Sequence, residues 1–254
     1  ILVRGLYDHR IGGQTKEAMA AMDSPYAIDL NTWRVDGFMK NGYVFDAELG
    51  TSIGIIASAS YHNQQNTYGP RQWNATQTNA YLNAIFQTGF DDSATDLWDD
   101  HSHNLSAGLS VNYDGYDESL LGERLEVRGK RYEVTPGVFA EYTYTYKDKV
   151  TLLVGVREDY STRYGFFTTP RINLRYTPFE WWTLRGSVGL GYQTPNAIAD
   201  NTTYLPSNRI YQYYTTLHNT TPLYTTLDNA QLAQERSMNT GLSTVFYIPV
   251  GKRE

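Results

Sequence analysis

From residue 136 to residue 196 the chain alternates apolar and polar side chains at every second position, through four consecutive segments. Val138, Ala140, Tyr142, Tyr144 and Tyr146 share one face, with Phe139, Glu141, Thr143 and Thr145 opposite, and a Lys-Asp-Lys turn at 147–149 follows. Val150, Leu152, Val154 and Val156 then alternate with Thr151, Leu153, Gly155 and Arg157. Pro170, Ile172, Leu174 and Tyr176 alternate with Thr169, Arg171, Asn173 and Arg175. Trp182, Leu184, Val188, Leu190 and Tyr192 alternate with Thr183, Arg185, Ser187, Gly189, Gly191 and Gln193. A period of two places successive side chains on opposite faces of an extended ribbon, so four β-strands of about a dozen residues are expected.

Strand length selects the kind of sheet. Globular strands centre on about 5–6 residues, whereas about 9–11 tilted residues cross a bilayer. The face carrying Glu141, Arg157, Arg171, Arg175 and Arg185 cannot meet lipid, where an Arg at the midplane costs about 2–4 kcal/mol. The opposite face has aromatic residues near its ends and Val, Leu and Ile between, which suits hydrocarbon flanked by aromatic girdles. A soluble sandwich would turn its charges outward on shorter strands. The expected fold class is therefore all-β, a transmembrane antiparallel β-barrel.

Composition agrees and excludes rivals. The mean hydropathy is -0.50 and no apolar run reaches the ~18 residues of a membrane helix, while a barrel dilutes its average with lumen-facing residues. A net charge of -6 gives no basic field for nucleic acid, and the absence of cysteine excludes disulfide scaffolds and thiolate metal sites. Ile1 begins in mid-pattern and 249–254 reads as a turn after a strand, so the 254 residues are expected to be a portion of a larger barrel.

Further strands are expected at 27–40, 52–62, 82–87, 105–113 and 236–248, bringing the count to about nine or ten, and a short helix within 16–22. Long polar connections are expected at 63–77, 114–132 and 193–234, and short ones at 147–149 and 177–181. Barrels of the outer membrane keep short turns on the periplasmic side and long loops outside, so 147–149 is expected to be periplasmic.

These residues resemble the barrel half of TonB-dependent outer-membrane transporters. The resemblance rests on Pro170-Arg171 with Tyr176-Thr177-Pro178, on Arg185-Gly186, on Tyr192-Gln193-Thr194-Pro195 and on Glu235-Arg236-Ser237, and is specific from 136 to 240. The family commonly carries Arg where Gln193 stands. The style, with 46–54 (DAELGTSIG) and Tyr68-Gly69, is closest to siderophore or metal-complex receptors of the Bacteroidetes type. The resemblance implies a bacterial outer-membrane importer of a scarce ligand such as a ferric siderophore or other metal chelate. It implies energy from the TonB complex through a plug segment outside this chain, about 22 strands in the closed barrel, lipid around it, and no enzymatic step.

On that reading Glu141, Arg157, Arg171, Arg175 and Arg185 face the lumen and plug, or pair with one another across strands. His62, Tyr68, Arg71, Trp73, Tyr192, Gln193, Asn196 and Arg209 are candidates for ligand contact in outer loops. Aromatic rings with interspersed Arg suit an anionic aromatic chelate, although Tyr is also the favoured rim residue of barrels. His101 and His103 read as a solvated periplasmic turn rather than a metal site, and His218 lacks partner spacing. No cofactor is expected, and no G-x-S-x-G or H-E-x-x-H element occurs. The rival readings are an outer-membrane glycan importer and a passive porin-like channel.

Overall fold

The computed structural model describes residues 1–21, 26–90, 101–122, 125–147, 149–196, 198–206, 224–226 and 233–247. One antiparallel path joins β1 (Leu2–Gly13), β2 (Ala27–Asp46), β3 (Thr51–Tyr68), β4 (Arg71–Phe90), β5 (His101–Gly122) and β6 (Leu125–Tyr146). It continues through β7 (Val150–Ser161), β8 (Gly165–Phe179), β9 (Trp182–Gln193) and β11 (Glu235–Phe246), each strand hydrogen-bonded to the next. The short β10 (Tyr224–Thr226) lies off this path, parallel to Glu126–Arg128 of β6. The only helices among the described residues are α1 (Lys16–Ala20), capped by the Thr15 hydroxyl, and a 3-10 segment, Ala199–Tyr204. Among the described residues no helix is long and apolar enough to cross a membrane. Ten nearest-neighbour strands with a two-faced alternation make this a portion of a transmembrane barrel wall, in agreement with the expected class.

The outward face is apolar at mid-height. Leu109, Val138, Val154, Ile172 and Leu190 are all exposed there, which hydrocarbon would cover. Aromatic side chains bound this band at both ends. Tyr113 and Tyr132 stack at 6.4 Å on the side of the β5–β6 turn, and Phe179, Trp181, Trp182 and Phe246 cluster on the other. His101 and His103 start β5 within this second girdle rather than a turn. Each lies 2.5 Å through Nδ1 from a Tyr hydroxyl, of Tyr144 and Tyr142 respectively.

The largest departure from expectation is strand length. Residues 63–77 are not a loop: β3 runs on to Tyr68 and β4 starts at Arg71, paired across Gly69-Pro70. Gly69 has φ +59, and a Cβ there would collide with the Tyr26 ring. Residues 114–122 and 125–132 are likewise ladder, with 22 residues each in β5 and β6. β2 runs on past its expected end at residue 40 to Asp46, whose Oδ1 organises the turn that follows by accepting from the backbone of Glu48 and Leu49. Beyond the girdle of Tyr113 and Tyr132 both faces of the hairpin are wet, so the apolar–polar contrast fades although the backbone ladder continues. On the opposite side β2 and β3, β6 and β7, and β8 and β9 follow one another closely, whereas β4 ends at Phe90 and β5 begins only at His101.

Candidate ligand-facing inner wall

The inner side chains come from alternate positions of each strand. Ser110, Asn112, Asp114, Tyr116, Glu118 and Leu120 follow one another up β5, opposite Arg131, Glu133 and Thr135 of β6. Side chains of neighbouring strands then meet as a polar network. Arg157 donates from Nε and Nη2 to the two oxygens of Asp159, at 2.6 and 2.5 Å, and from Nη2 to Ser110 Oγ at 2.6 Å. Arg171 pairs with Glu141. Asn79 bridges Asn112 and Asp114, and Gln77 donates to the Tyr116 hydroxyl at 2.9 Å. At the β1 end Arg4 and Arg34 both donate to Asp36, and His62 lies across the β2–β3 ladder from Arg34.

Arg175 and Arg185 differ. They are direct cross-strand partners on β8 and β9, both exposed, and neither has an acidic partner among the described residues. Like charges opposite one another oppose pairing, so this spot has an unmet demand for negative charge.

At the external end the chain leaving β9 folds inward across the wall. Thr194 Oγ1 donates to Glu133 at 3.3 Å, and the same carboxylate accepts from Ser161 at 2.7 Å. Glu133 lies on β6, three strands from β9 and so about 14 Å away along a flat sheet at about 4.8 Å per strand. One residue beyond β9 spans that interval only because the sheet curves, which makes this face the concave, luminal one. Arg131 Nη1 donates to the Pro195 carbonyl at 3.2 Å while its guanidinium lies 4.1 Å from the Tyr116 ring centroid. Asn196 is the elbow: its Nδ2 donates to Glu118 Oε1 at 2.8 Å, and its Oδ1 accepts from the backbone of Ile198 and Ala199. Ile198 and Leu205 then pack on Tyr68, Trp73 and Leu120 in a buried apolar cluster flanked by Ile28, Leu30 and Ala75. Arg71 Nη1 donates to the Leu205 carbonyl at 2.9 Å, and the Tyr26 hydroxyl to that of Pro206 at 3.0 Å. Residues 194–196 and 198–206 thus form a strap from β9 to the β3–β4 turn.

The sequence-derived candidates therefore divide. Glu141, Arg157, Arg171, Arg175 and Arg185 all occupy inner-face positions. His62, Tyr68, Arg71 and Trp73 lie on strands rather than in a loop, and Tyr68 and Trp73 are buried under the strap. Tyr192 packs 5.0 Å from Phe167 and borders the recess holding Asp114, Arg157 and Asp159. Gln193 ends β9 and Asn196 is the elbow, whereas Arg209 lies outside the described residues. Asp114, Glu118 and Arg131 fall within 114–132, expected as a loop, and Glu133 just beyond it; polar residues on both faces there leave no period-two signal for them. Above the girdle, burial pushes the Glu118 carboxyl up from its ordinary range, against the Asn196 hydrogen bond and the Arg131 charge, and Asp200 adds to the rise.

Known proteins supply the context. No curated protein matches the sequence. The fold is similar to the alcaligin outer-membrane receptor FauA of Bordetella pertussis, at TM-score 0.54 and 13% identity over 76% of this chain and 32% of that one. It is also similar to the ferric citrate transporter FecA, at TM-score 0.50 and 12% identity over 95% of this chain and 44% of that one. At such identities the likeness is one of fold, and the chain spans less than half the length of either. The family profile described as TonB dependent receptor-like, beta-barrel, matches residues 7–249, nearly the whole of the wall. With that match, the two-faced strands and the girdles read as one design, and the chain belongs to the TonB-dependent receptor β-barrel family of the bacterial outer membrane.

Proposed function

We propose that this wall belongs to an active importer of a scarce ligand, a ferric siderophore or other metal chelate, energised by the TonB complex. Family membership carries the reading. Two features of the wall support it. Aromatic rings and guanidinium groups lie together on the inner face near the external mouth, with Tyr68, Arg71 and Trp73 at one side and Tyr116, Arg131 and Arg157 at the other. Arg175 and Arg185, lower on the wall, call for an anionic partner that a plug inside the lumen would provide. β1 and β11 each leave one ladder edge unpaired among the described residues. Open edges are not tolerated in lipid, so further strands close the barrel. Transport of this kind needs binding groups and a movable plug, and no bond chemistry from the wall.

The test is uptake of radiolabelled ferric chelates by cells making the full-length receptor, with and without a functional TonB. Saturable, TonB-dependent uptake is expected. Arg185→Glu should lower uptake at least about tenfold, since a like-charged plug contact replaces a favourable one. TonB-independent leakage of small solutes would favour the porin reading, and uptake of oligosaccharides the glycan importer.

A further inference from the structure

The strap meets the wall in a way that a ligand would improve on. The strap offers Arg131 Nη1 a neutral acceptor, the Pro195 carbonyl. Its contacts with the aromatic pair Tyr68 and Trp73 are aliphatic, from Ile198 and Leu205. Trp73 Nε1–H is buried there without an acceptor, and so is Arg131 Nε–H. Trp73 is 4% exposed and Arg131 7%, so these donors do not turn to solvent instead. A buried donor left unmet is costly, and a hydrogen bond to an anion is roughly twice as strong as one to a neutral carbonyl.

We infer that the strap is a displaceable, built-in occupant of a ligand subsite formed by Tyr68, Arg71, Trp73 and Arg131, and that an anionic aromatic chelate takes its place. Such a ligand would stack on the rings the strap covers with aliphatic groups. It would replace the Pro195 carbonyl at Arg131 with a charged acceptor and offer acceptors to the two unmet N–H groups. The Asn196–Glu118 hydrogen bond is the bolt, because it fixes the turn from which the rest of the strap projects. The consequence is regulatory: the external mouth stays covered until a ligand able to outcompete the strap arrives, and apparent affinity is lowered by the docked fraction. This rests on the importer reading above and specifies how its site is controlled.

The experiment uses the full-length receptor in outer-membrane vesicles, with the iron(III) complex of 2,3-dihydroxybenzoate as the probe. Leu205→Cys reports docking, because Leu205 is 1% exposed, and Tyr204→Cys serves as the open reference at 41%. Without chelate, a maleimide should label Leu205→Cys at least about tenfold more slowly than Tyr204→Cys, as local opening limits access. Saturating chelate should remove most of that protection. Asn196→Ala should remove it without chelate and tighten chelate binding about fivefold, the gain from a larger competent fraction. Heat-modifiable migration verifies that each variant is a folded barrel, and Glu118→Ala replaces Asn196→Ala if the latter is not assembled. Chelate bound while Leu205→Cys stays protected overturns the inference and leaves the importer reading intact. So does weaker binding in the released variant, which would make the strap part of the site. Absence of chelate binding in every form removes the aromatic-chelate reading and this inference together.

Discussion

Glu118 shows how one side chain ties chemistry to position. It lies 5% exposed, holding the Asn196 amide, with Arg131 and Asp200 acting on its charge and Tyr116 two positions away on the same face. With the strap docked its carboxyl binds a proton more tightly than it would in water. Docking is therefore favoured at low pH and weakens as pH rises from the ordinary carboxyl range, about 4.3, through the raised value. Protection of Leu205→Cys should fall across that window, and Glu118→Gln should flatten the dependence; a profile unchanged by the substitution would remove Glu118 from the account. None of this was legible in the sequence, because Glu118 there is one acid among several polar neighbours. The lumen-facing arginines were legible. Arg157, Arg171 and Arg185 stand at alternate positions opposite Val, Ile and Leu, and the energy of charge in lipid leaves them a single direction to point.

At the scale of the strand, hydrocarbon wrote the pattern wherever it touched the wall. β7 and the middle of β5, β6, β8 and β9 could be read because one face of each is apolar and the other is not. Above the Tyr113–Tyr132 girdle that contrast is gone, and the ladder of β3 through β6 continues on backbone hydrogen bonds that the side chains do not announce. The strap was beyond reach for another reason: its contacts join residues up to 180 positions apart. The two faces make opposite predictions. Val154→Arg, on the outer face of β7, should cost about 2–4 kcal/mol, while Thr143→Arg on the inner face of β6 should cost little. Folding yield into lipid vesicles measures both, and equal losses would mean that the faces are misassigned.

For the molecule as a whole, the wall has two ends that ask for neighbours. β1 pairs only with β2 and β11 only with β9 among the described residues. Residues 1–254 expressed alone should therefore give no heat-modifiable monomer in lipid, whereas the full-length receptor should; a stable monomer would show that these strands close on themselves. The heights of the strands matter as much as their number. β5 and β6 have 22 residues each and β7 and β9 only 12, and the ladders align them at the periplasmic turns. The excess of ten residues, about 33 Å along the strand at about 3.3 Å each, stands entirely on the outer side. Along the described strands the rim is accordingly slanted. Among the described strands the β5–β6 crest therefore reaches farthest beyond the girdle, and β7 to β9 stop lowest.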